Sequence, residues 1–443
     1  MANILIFGAG KSSSFLIRYL LDHAEAENWQ INVADAHLAA AQARVNNHAR
    51  GTAIESDIHD ANQRMELVEE ADLVISLLPP DLHFLLAADC LASGKHLITA
   101  SYVSDQLRSL DAAARNGNLL FMNELGLDPG IDHMSAMKMI KTLQDEGASI
   151  TSFKSYCGGL VAPASDTNPW HYKFSWNPRN VVLAGKAGAH FLQDGEAKHI
   201  DYTHLFRETE LVAIPALGNL AAYANRDSLS YQTVYGLNEV KTLLRATFRY
   251  PEFCTAWDKL IQLGLTREDD KQDIEGMTYR YWFMQASKGV AGNTPEERIA
   301  TVCGDDVQAL KLVRWLDLHD DDLIQHEGDA SSAEILQSIL ETRWAMEETD
   351  RDMIVMHHAF EYTQGDKRGV WTSSLIVEGD DKEYTAMAKT VGLPMAIFAR
   401  LWLRGDIQGL RGVQIPIMPE VYEPVLKELE QYGIIFNESR TTL

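Results

Sequence analysis

The residue types that could do chemistry gather in three places early in the chain. Gly8-Ala9-Gly10-Lys11-Ser12-Ser13 is a glycine turn whose backbone can approach a pyrophosphate. Gly8 permits the tight turn, Gly10 lets the phosphates approach, and the N-terminus of a following helix would add N–H donors and positive dipole. Ser13 stands where a third glycine is usual, and a small residue there still allows close helix packing. Asp35 follows at the distance, roughly 20 or more residues, of a carboxylate that accepts hydrogen bonds from an adenosine ribose. Such a carboxylate repels a 2′-phosphate and favours NAD over NADP; the alternative is an acid that merely ends a strand. The third place is Glu124-Leu125-Gly126-Leu127-Asp128-Pro129-Gly130-Ile131-Asp132-His133, with three carboxylates around two glycines and a proline. Ligands of open α/β sheets sit at the carboxyl ends of strands. Read alone, the stretch is more simply a strand-to-helix turn, with Asp132 complementing the helix dipole.

Each place needs a strand to deliver it. Asn3 to Phe7 is a short apolar run, followed by the glycine turn and then by Phe15, Leu16, Tyr19 and Leu20 at helical spacing. Ile31 to Asp35, Thr52 to Ile54 leading to Asp57, Asp72 to Leu78, His96 to Ala100, and Leu119 to Asn123 continue the alternation. Six strands separated by helical segments predict a Rossmann-like doubly wound parallel sheet, with small or polar residues repeated along one edge. Ile131, Met134, Met137, Ile140 and Leu143 then keep helical spacing.

Past Gly147 the character changes. Ile150 to Gly159 alternates like a strand of a second, mixed sheet, and Trp170 to Pro178 mixes aromatic residues with Lys173 and Ser175, as an edge of core or the wall of a polar pocket. From Gly236 to Asp350 no strand signal is strong, and Val240, Leu243, Leu244, then Val307 to Leu316, predict a helical insertion. Asp352 to Phe360 and Val370 to Val377, around the polar turn Gln364 to Lys367, predict an antiparallel hairpin. His357 and His358 would point to opposite faces of it and form no paired metal site. Helices near Tyr384 to Leu403 and Glu420 to Gln431 follow. The expected division is a dinucleotide domain at 1–127 and 385–443, a mixed α/β substrate domain at 128–235 and 351–384, and a helical domain at 236–350.

Composition narrows the classes. The 443 residues carry 39 Lys plus Arg against 63 Asp plus Glu, a net charge of −24, which argues against a nucleic-acid groove or an anionic membrane surface. No signal peptide is expected, and no apolar stretch approaching the roughly 18 residues of a membrane span. Cys90, Cys157, Cys254 and Cys303 are far apart, so neither a metal site nor a disulfide framework is suggested and a cytoplasmic protein is expected.

Six motifs occur in order: Ser101-Tyr102-Val103, Gly126 to His133, Ser155-Tyr156-Cys157-Gly158-Gly159-Leu160, Tyr172 to Pro178, Asn225-Arg226-Asp227-Ser228-Leu229, and Arg245-Ala246-Thr247-Phe248-Arg249-Tyr250. The set resembles the saccharopine dehydrogenases of the L-glutamate-forming type, including the dehydrogenase half of the bifunctional lysine-degrading enzyme. The resemblance runs over most of the chain and is strongest from Ser101 to Tyr250. It implies NAD- or NADP-dependent cleavage of saccharopine to L-glutamate and 2-aminoadipate 6-semialdehyde, or the reverse, by a homodimer. Carried across by motif, Ser101, Tyr102, Asp128, Arg226, Thr247, Phe248 and Arg249 would contact the amino-acid substrate. Gly8, Gly10, Lys11, Ser12, Ser13, Asp35, Asp57, Leu78, Ala100 and Leu127 to Pro129 would line the cofactor, with Ser175 near both. The Gly-Lys-Ser-Ser turn and Asp35 depart from NADP-using fungal members, which tend to carry a basic residue nearby.

The chemistry implied fits these residue types. Saccharopine carries three carboxylates, and the guanidinium forks of Arg226 and Arg249 are natural anchors, each with a structural ion pair as the alternative. Oxidising the carbon beside the secondary amine gives an imine that water must hydrolyse, so a proton acceptor and later a donor are needed. Asp128, Tyr102 and Cys157 are the protic groups the motifs supply. Asp128 is the first choice, whereas Cys157 as a nucleophile is not required by the reaction and reads as readily as packing. Two rivals remain: a carboxynorspermidine-type dehydrogenase, whose polyamine substrate would want carboxylates instead of arginines, and a non-catalytic dinucleotide-binding relative.

Overall fold

The computed structural model describes residues 1–326 and 328–442, which divide into two compact units. Unit 1 comprises Met1–Ala148 and Leu375–Asn437; unit 2 is built from Ser149–Ser374 and the strand that follows Asn437.

The first stretch of unit 1 alternates as the sequence predicts. In order come β1 (Ala2–Phe7), α1 (Ser14–Ala24), β2 (Trp29–Asp35), α2 (Leu38–Val45), β3 (Gly51–Glu55), α3 (Ala61–Glu70), β4 (Leu73–Ser76) and α4 (His83–Ser93). Then follow β5 (His96–Thr99), α5 (Asp105–Ser109), α6 (Asp111–Asn116), β6 (Leu120–Met122) and α7 (Ile131–Asp145). The strands read as unbroken apolar runs because a parallel sheet is covered on both faces. Ile4, Ile6, Ile31, Val33, Leu73, Ile75 and Phe121 are all fully buried.

Unit 2 is organised on a long mixed sheet. Its strands are β7 (Ser149–Val161), β8 (Ala189–Gln193), β9 (Glu196–Ile200), β10 (Thr209–Ile214), β11 (Gly218–Ala224), β12 (Arg226–Asp227) and β13 (Thr242–Arg249), with short helices α8 (Pro178–Val182), α9 (Tyr202–Leu205) and α10 (Ser230–Val234) between them. Five helices follow, α11 (Pro251–Gln262), α12 (Tyr279–Ala286), α13 (Pro295–Cys303), α14 (Val307–Trp315) and α15 (Ser332–Arg343), and then the hairpin β14 (Asp352–Gln364) and β15 (Lys367–Glu378). The order is β10-β11-β13-β7-β14-β15-β17, where β17 is Asn437–Thr442 and β8, β9 and β12 form a side branch. β13 corrects the sequence reading, which placed 242–249 in a helical insertion. Leu243, Leu244 and Phe248 mimic helical spacing, but β13 lies between β7 and β11, and the sheet's register decides. Trp170, Tyr172 and Phe174 are core: they pack with Phe253, Trp257 and Trp344.

The chain then returns to unit 1 through α16 (Ala386–Arg404), β16 (Gly412–Gln414) and α17 (Pro419–Leu429). β16 adds a seventh strand that the sequence reading lacks, giving the all-parallel order β16-β6-β5-β4-β1-β2-β3. The 19-residue α16 is also a correction, since it is long and apolar enough by composition to cross a membrane. Most of it is buried inside the unit, where Gly392 lies so close to α1 that a Cβ would stand 2.9 Å from the Leu16 nitrogen.

Candidate active site

In unit 1 the strand order reverses direction between β1 and β4, the switch point at which doubly wound sheets bind ligands. Gly8 turns there with φ +105°, and a Cβ on it would press at 3.2 Å against the Leu77 backbone that closes β4. Around Gly10 the space is open, as a phosphate approach requires. Lys11 is exposed, Ser12 half-buried, and buried Ser13 folds its hydroxyl back onto the Gly10 carbonyl at 2.7 Å.

Asp35 ends β2 beside this turn. Its Oδ2 accepts the Ala9 N–H at 2.7 Å and its Oδ1 the His37 N–H at 2.8 Å, which fixes the carboxylate against the glycine turn. Arg44 also lies against the turn: its guanidinium donates to the Ala9 and Gly10 carbonyls and pairs with Glu383 at 2.5 Å. Asp57, past the end of β3, accepts the His59 N–H at 2.9 Å and is exposed. Leu78 packs on the core under the same edge, and Ala100 lies against Gly126, where a Cβ would come within 2.9 Å of the Ala100 methyl. The glycine turn, helix terminus and Asp35 therefore fit a dinucleotide.

Beyond β5 and β6 the motif residues of unit 1 converge. The Tyr102 hydroxyl donates to Asp128 Oδ1 at 3.2 Å. Both sit on loops that one buried cluster ties down. The Glu124 N–H donates to the Ser101 carbonyl at 3.0 Å, and Glu124 Oε1 accepts the Val103 N–H at 3.0 Å. Its Oε2 meets His133 Nε2 at 2.8 Å, while Asp132 Oδ1 accepts the Gly130 N–H at 2.6 Å. Glu124, Asp132 and His133 are all buried, so of the three carboxylates in the motif only Asp128 is partly open to solvent. Gly130, at φ +147°, could carry no side chain without colliding with the Gly126 backbone. Leu127 and Pro129 are buried in the same turn.

In unit 2, Thr247 and Arg249 share one face of β13, with Cys157 of β7 beside Thr247 in register. Arg249 is 4% exposed, and among the described residues it has no carboxylate partner. One Nη donates to the Phe248 carbonyl at 2.8 Å, Nε has no partner, and the guanidinium lies over the rings of Tyr172 at 5.1 Å and Phe253 at 5.4 Å. Burial raises the Tyr172 phenol, and the Arg249 cation opposes that shift. A buried cation with an unfilled donor is electrostatically suited to an anion. Phe248 points to the opposite face, its ring stacked on Tyr156 at 5.1 Å, so its side chain is core and apart from Thr247 and Arg249. Arg226 is exposed on β12 with φ +51°, just past the end of β11. The neighbouring Asn225 N–H donates to the carbonyl of Arg245 on β13, four residues before Arg249. Ser175 is buried next to Phe174, whose N–H donates to the Trp344 carbonyl. Two groups escaped the sequence reading, the Glu124–His133 pair and His83. The first was visible only as charge in a turn; the second gave no signal until β4 and β5 were seen side by side.

Two family models divide the chain between them: the saccharopine dehydrogenase NADP binding domain matches residues 4–122, and the saccharopine dehydrogenase C-terminal domain matches residues 126–434. Saccharopine dehydrogenase [NADP(+), L-glutamate-forming] of Pyricularia oryzae is 33% identical over 445 residues, covering 98% of this chain and 97% of the relative. The mitochondrial alpha-aminoadipic semialdehyde synthase of Mus musculus is 35% identical over 387 residues, and the match spans 41% of that longer protein. Among solved structures, apo saccharopine dehydrogenase (L-Glu forming) from Saccharomyces cerevisiae superposes over the whole of both chains with a TM-score of 0.87 at 31% identity.

Proposed function

This chain belongs to the saccharopine dehydrogenase family, and on that premise we propose that it oxidises saccharopine at the carbon beside its secondary amine, using NAD or NADP, and releases L-glutamate and 2-aminoadipate 6-semialdehyde. The same groups serve the reverse condensation. The observation that carries the reading is the buried guanidinium of Arg249, which has no carboxylate partner among the described residues and suits a substrate rich in carboxylates. A polyamine substrate would meet repulsion there, which disfavours the carboxynorspermidine-type alternative. The Tyr102–Asp128 pair gives the chain a partly exposed proton acceptor, which a non-catalytic relative would not need.

The dinucleotide, when bound at the glycine turn, supplies the hydride acceptor. Asp128 takes or holds the proton of the substrate amine, and Tyr102 orients it by donating to Oδ1. The water that hydrolyses the imine loses its proton to the same pair, which returns one to the departing amine. Arg249 binds one substrate carboxylate, with Thr247 on the same strand face, and Arg226 binds another. Cys157 borders this site as packing.

For the cofactor, the reading favours NAD. Asp35 sets a negative charge at the ribose end of the turn, and Arg44 is occupied by Glu383 and two carbonyls. A homodimer is supported by the edge strand β10, where Leu211 is 60% exposed beside an unpaired strand edge. A reducing compartment, the cytoplasm, accords with four buried cysteines that form no disulfide. The decisive assay is absorbance at the reduced-nicotinamide band after adding saccharopine and NAD. A rise supports the reading; no rise with either cofactor ends it.

A further inference from the structure

Behind Ser101 lies a buried imidazole that the chemistry above leaves unused. His83 opens α4 just after Pro79-Pro80 and is 1% exposed. Its Nδ1 lies 2.7 Å from Ser76 Oγ at the end of β4, and its Nε2 lies 2.7 Å from Ser101 Oγ beyond the end of β5. Thr99, register partner of Ser76 on β5, has its Oγ1 at 3.2 Å from Nε2 and 3.5 Å from Nδ1, and accepts the Ser101 N–H. The ring's hydrogen-bond partners among the described residues are therefore all hydroxyls. Burial lowers its pKa to about 4, with Asp81 opposing, so near neutral pH one ring nitrogen donates and the other accepts.

The hydroxyls decide which. Ser76 is fully buried, and His83 Nδ1 is its one side-chain partner among the described residues. Leaving its proton without an acceptor would cost a buried hydrogen bond, so Ser76 donates to Nδ1; Thr99, equally buried, has only the ring nitrogens as side-chain acceptors among the described residues and turns its hydroxyl to the same Nδ1 at 3.5 Å. That leaves the ring proton on Nε2, directed at Ser101 Oγ. Ser101 then accepts from the ring, and its own proton has no protein acceptor among the described residues. Ser101 is half-buried and adjoins Tyr102, which bonds Asp128.

We propose that His83 is a positioning residue that, through an Nε2–H donated to Ser101, fixes the Ser101 hydroxyl as a hydrogen-bond donor to a substrate carboxylate. The inference rests on the proposed reading of Ser101 as a substrate contact. It makes Ser101 specific for an anionic acceptor, since a free rotor would serve donors and acceptors alike.

The test is a thermodynamic cycle with two shapes of amide. The amide Nε2 of glutamine in His83→Gln reaches the place of the imidazole Nε2 and keeps a donor for Ser101; His83→Asn reaches only as far as Nδ1. Saccharopine KM and calorimetric Kd, kcat, NAD Kd and thermal midpoint are measured for both, for Ser101→Ala and for the double variant His83→Asn with Ser101→Ala. A hydrogen bond to a charged acceptor predicts that His83→Asn and Ser101→Ala each weaken saccharopine binding about tenfold or more, with NAD Kd unchanged. His83→Gln should stay within about threefold of wild type, and the double variant should be no worse than Ser101→Ala alone. Equal losses in His83→Gln and His83→Asn, or additive losses in the double variant, overturn the proposal. If His83→Asn does not fold, His83→Gln beside Ser101→Ala still decides, because a tenfold loss in the glutamine variant overturns it. Wild-type enzyme inert toward saccharopine would instead overturn the functional reading beneath it; active wild type with an unaffected Ser101→Ala overturns this inference alone.

Discussion

Replacing Arg249 by methionine should separate binding from folding. The wild-type side chain holds a cation in the core of unit 2 with no carboxylate partner among the described residues and with Nε unsatisfied. Leaving a buried donor unmade costs about 1–3 kcal/mol, and the two ring faces return about 0.5–2 kcal/mol. Methionine keeps the apolar stem's volume and removes both terms, so the apo protein should lose little stability or gain about 1 kcal/mol. For a unit of this size that is a thermal shift of about 2–4 °C upward. Saccharopine binding should move the other way. Removing one partner of a desolvated charge pair costs about 2–5 kcal/mol, which is about 30-fold to several thousandfold in affinity. Calorimetric titration with saccharopine and differential scanning calorimetry without it read the two effects separately. A variant that melts several degrees lower and loses NAD affinity in the same measure would refute the reasoning, because Arg249 would then be a support of the fold.

Asp128→Asn keeps shape and hydrogen bonding but removes basicity, so kcat should fall by about 10²–10⁴-fold, less where the substrate amine assists, with the acid limb of the pH–rate profile lost and the melting temperature kept. Wild-type turnover at all pH values would make Asp128 a turn residue. NAD should be preferred over NADP by kcat/KM, and Asp35→Ala should narrow that gap; an equal or reversed ratio in the wild type would refute the assignment. Stability should fall as pH drops from about 6.5 towards 4. Folded His83 titrates at about 4 against 6.5 when unfolded, so over that window only the unfolded chain takes up the proton, at a cost of about 3 kcal/mol by pH 4. Burial also lowers His96 and His357, so the His83 share is the difference in slope between wild type and His83→Gln, measured as thermal midpoint against pH.

The parallel sheet of unit 1 was legible because its strands are buried on both faces: runs such as Asn3 to Phe7 need no knowledge of their neighbours. β16 was not, since three residues with one long-range partner, β6, carry no pattern of their own. β13 hid for the opposite reason. Its polar face, Arg245, Thr247 and Arg249, lies under aromatic rings where a strand would ordinarily show solvent, so the alternation was masked. The glycine turn and Asp35 were readable from spacing, because the βαβ unit places them within one short stretch. His83 was not, because its partners belong to the ends of two other segments and meet only through the register of β4 with β5. The three carboxylates at 124–132 looked alike in sequence; burial assigns two of them to holding the loop and leaves the third partly open to solvent.

The discontinuity of unit 1 also dictates a timetable for biosynthesis. α1, with the glycine turn at its head, is packed by α16, yet the ribosome must make all of 149–374 between the two. At about 5–20 residues per second, that gap lasts from about ten to forty-five seconds. During it the nascent first half presents Leu16 and its neighbours to the cell without their cover, as a surface that chaperones would recognise. Nucleotide affinity would then be acquired late in translation, once α16 has emerged.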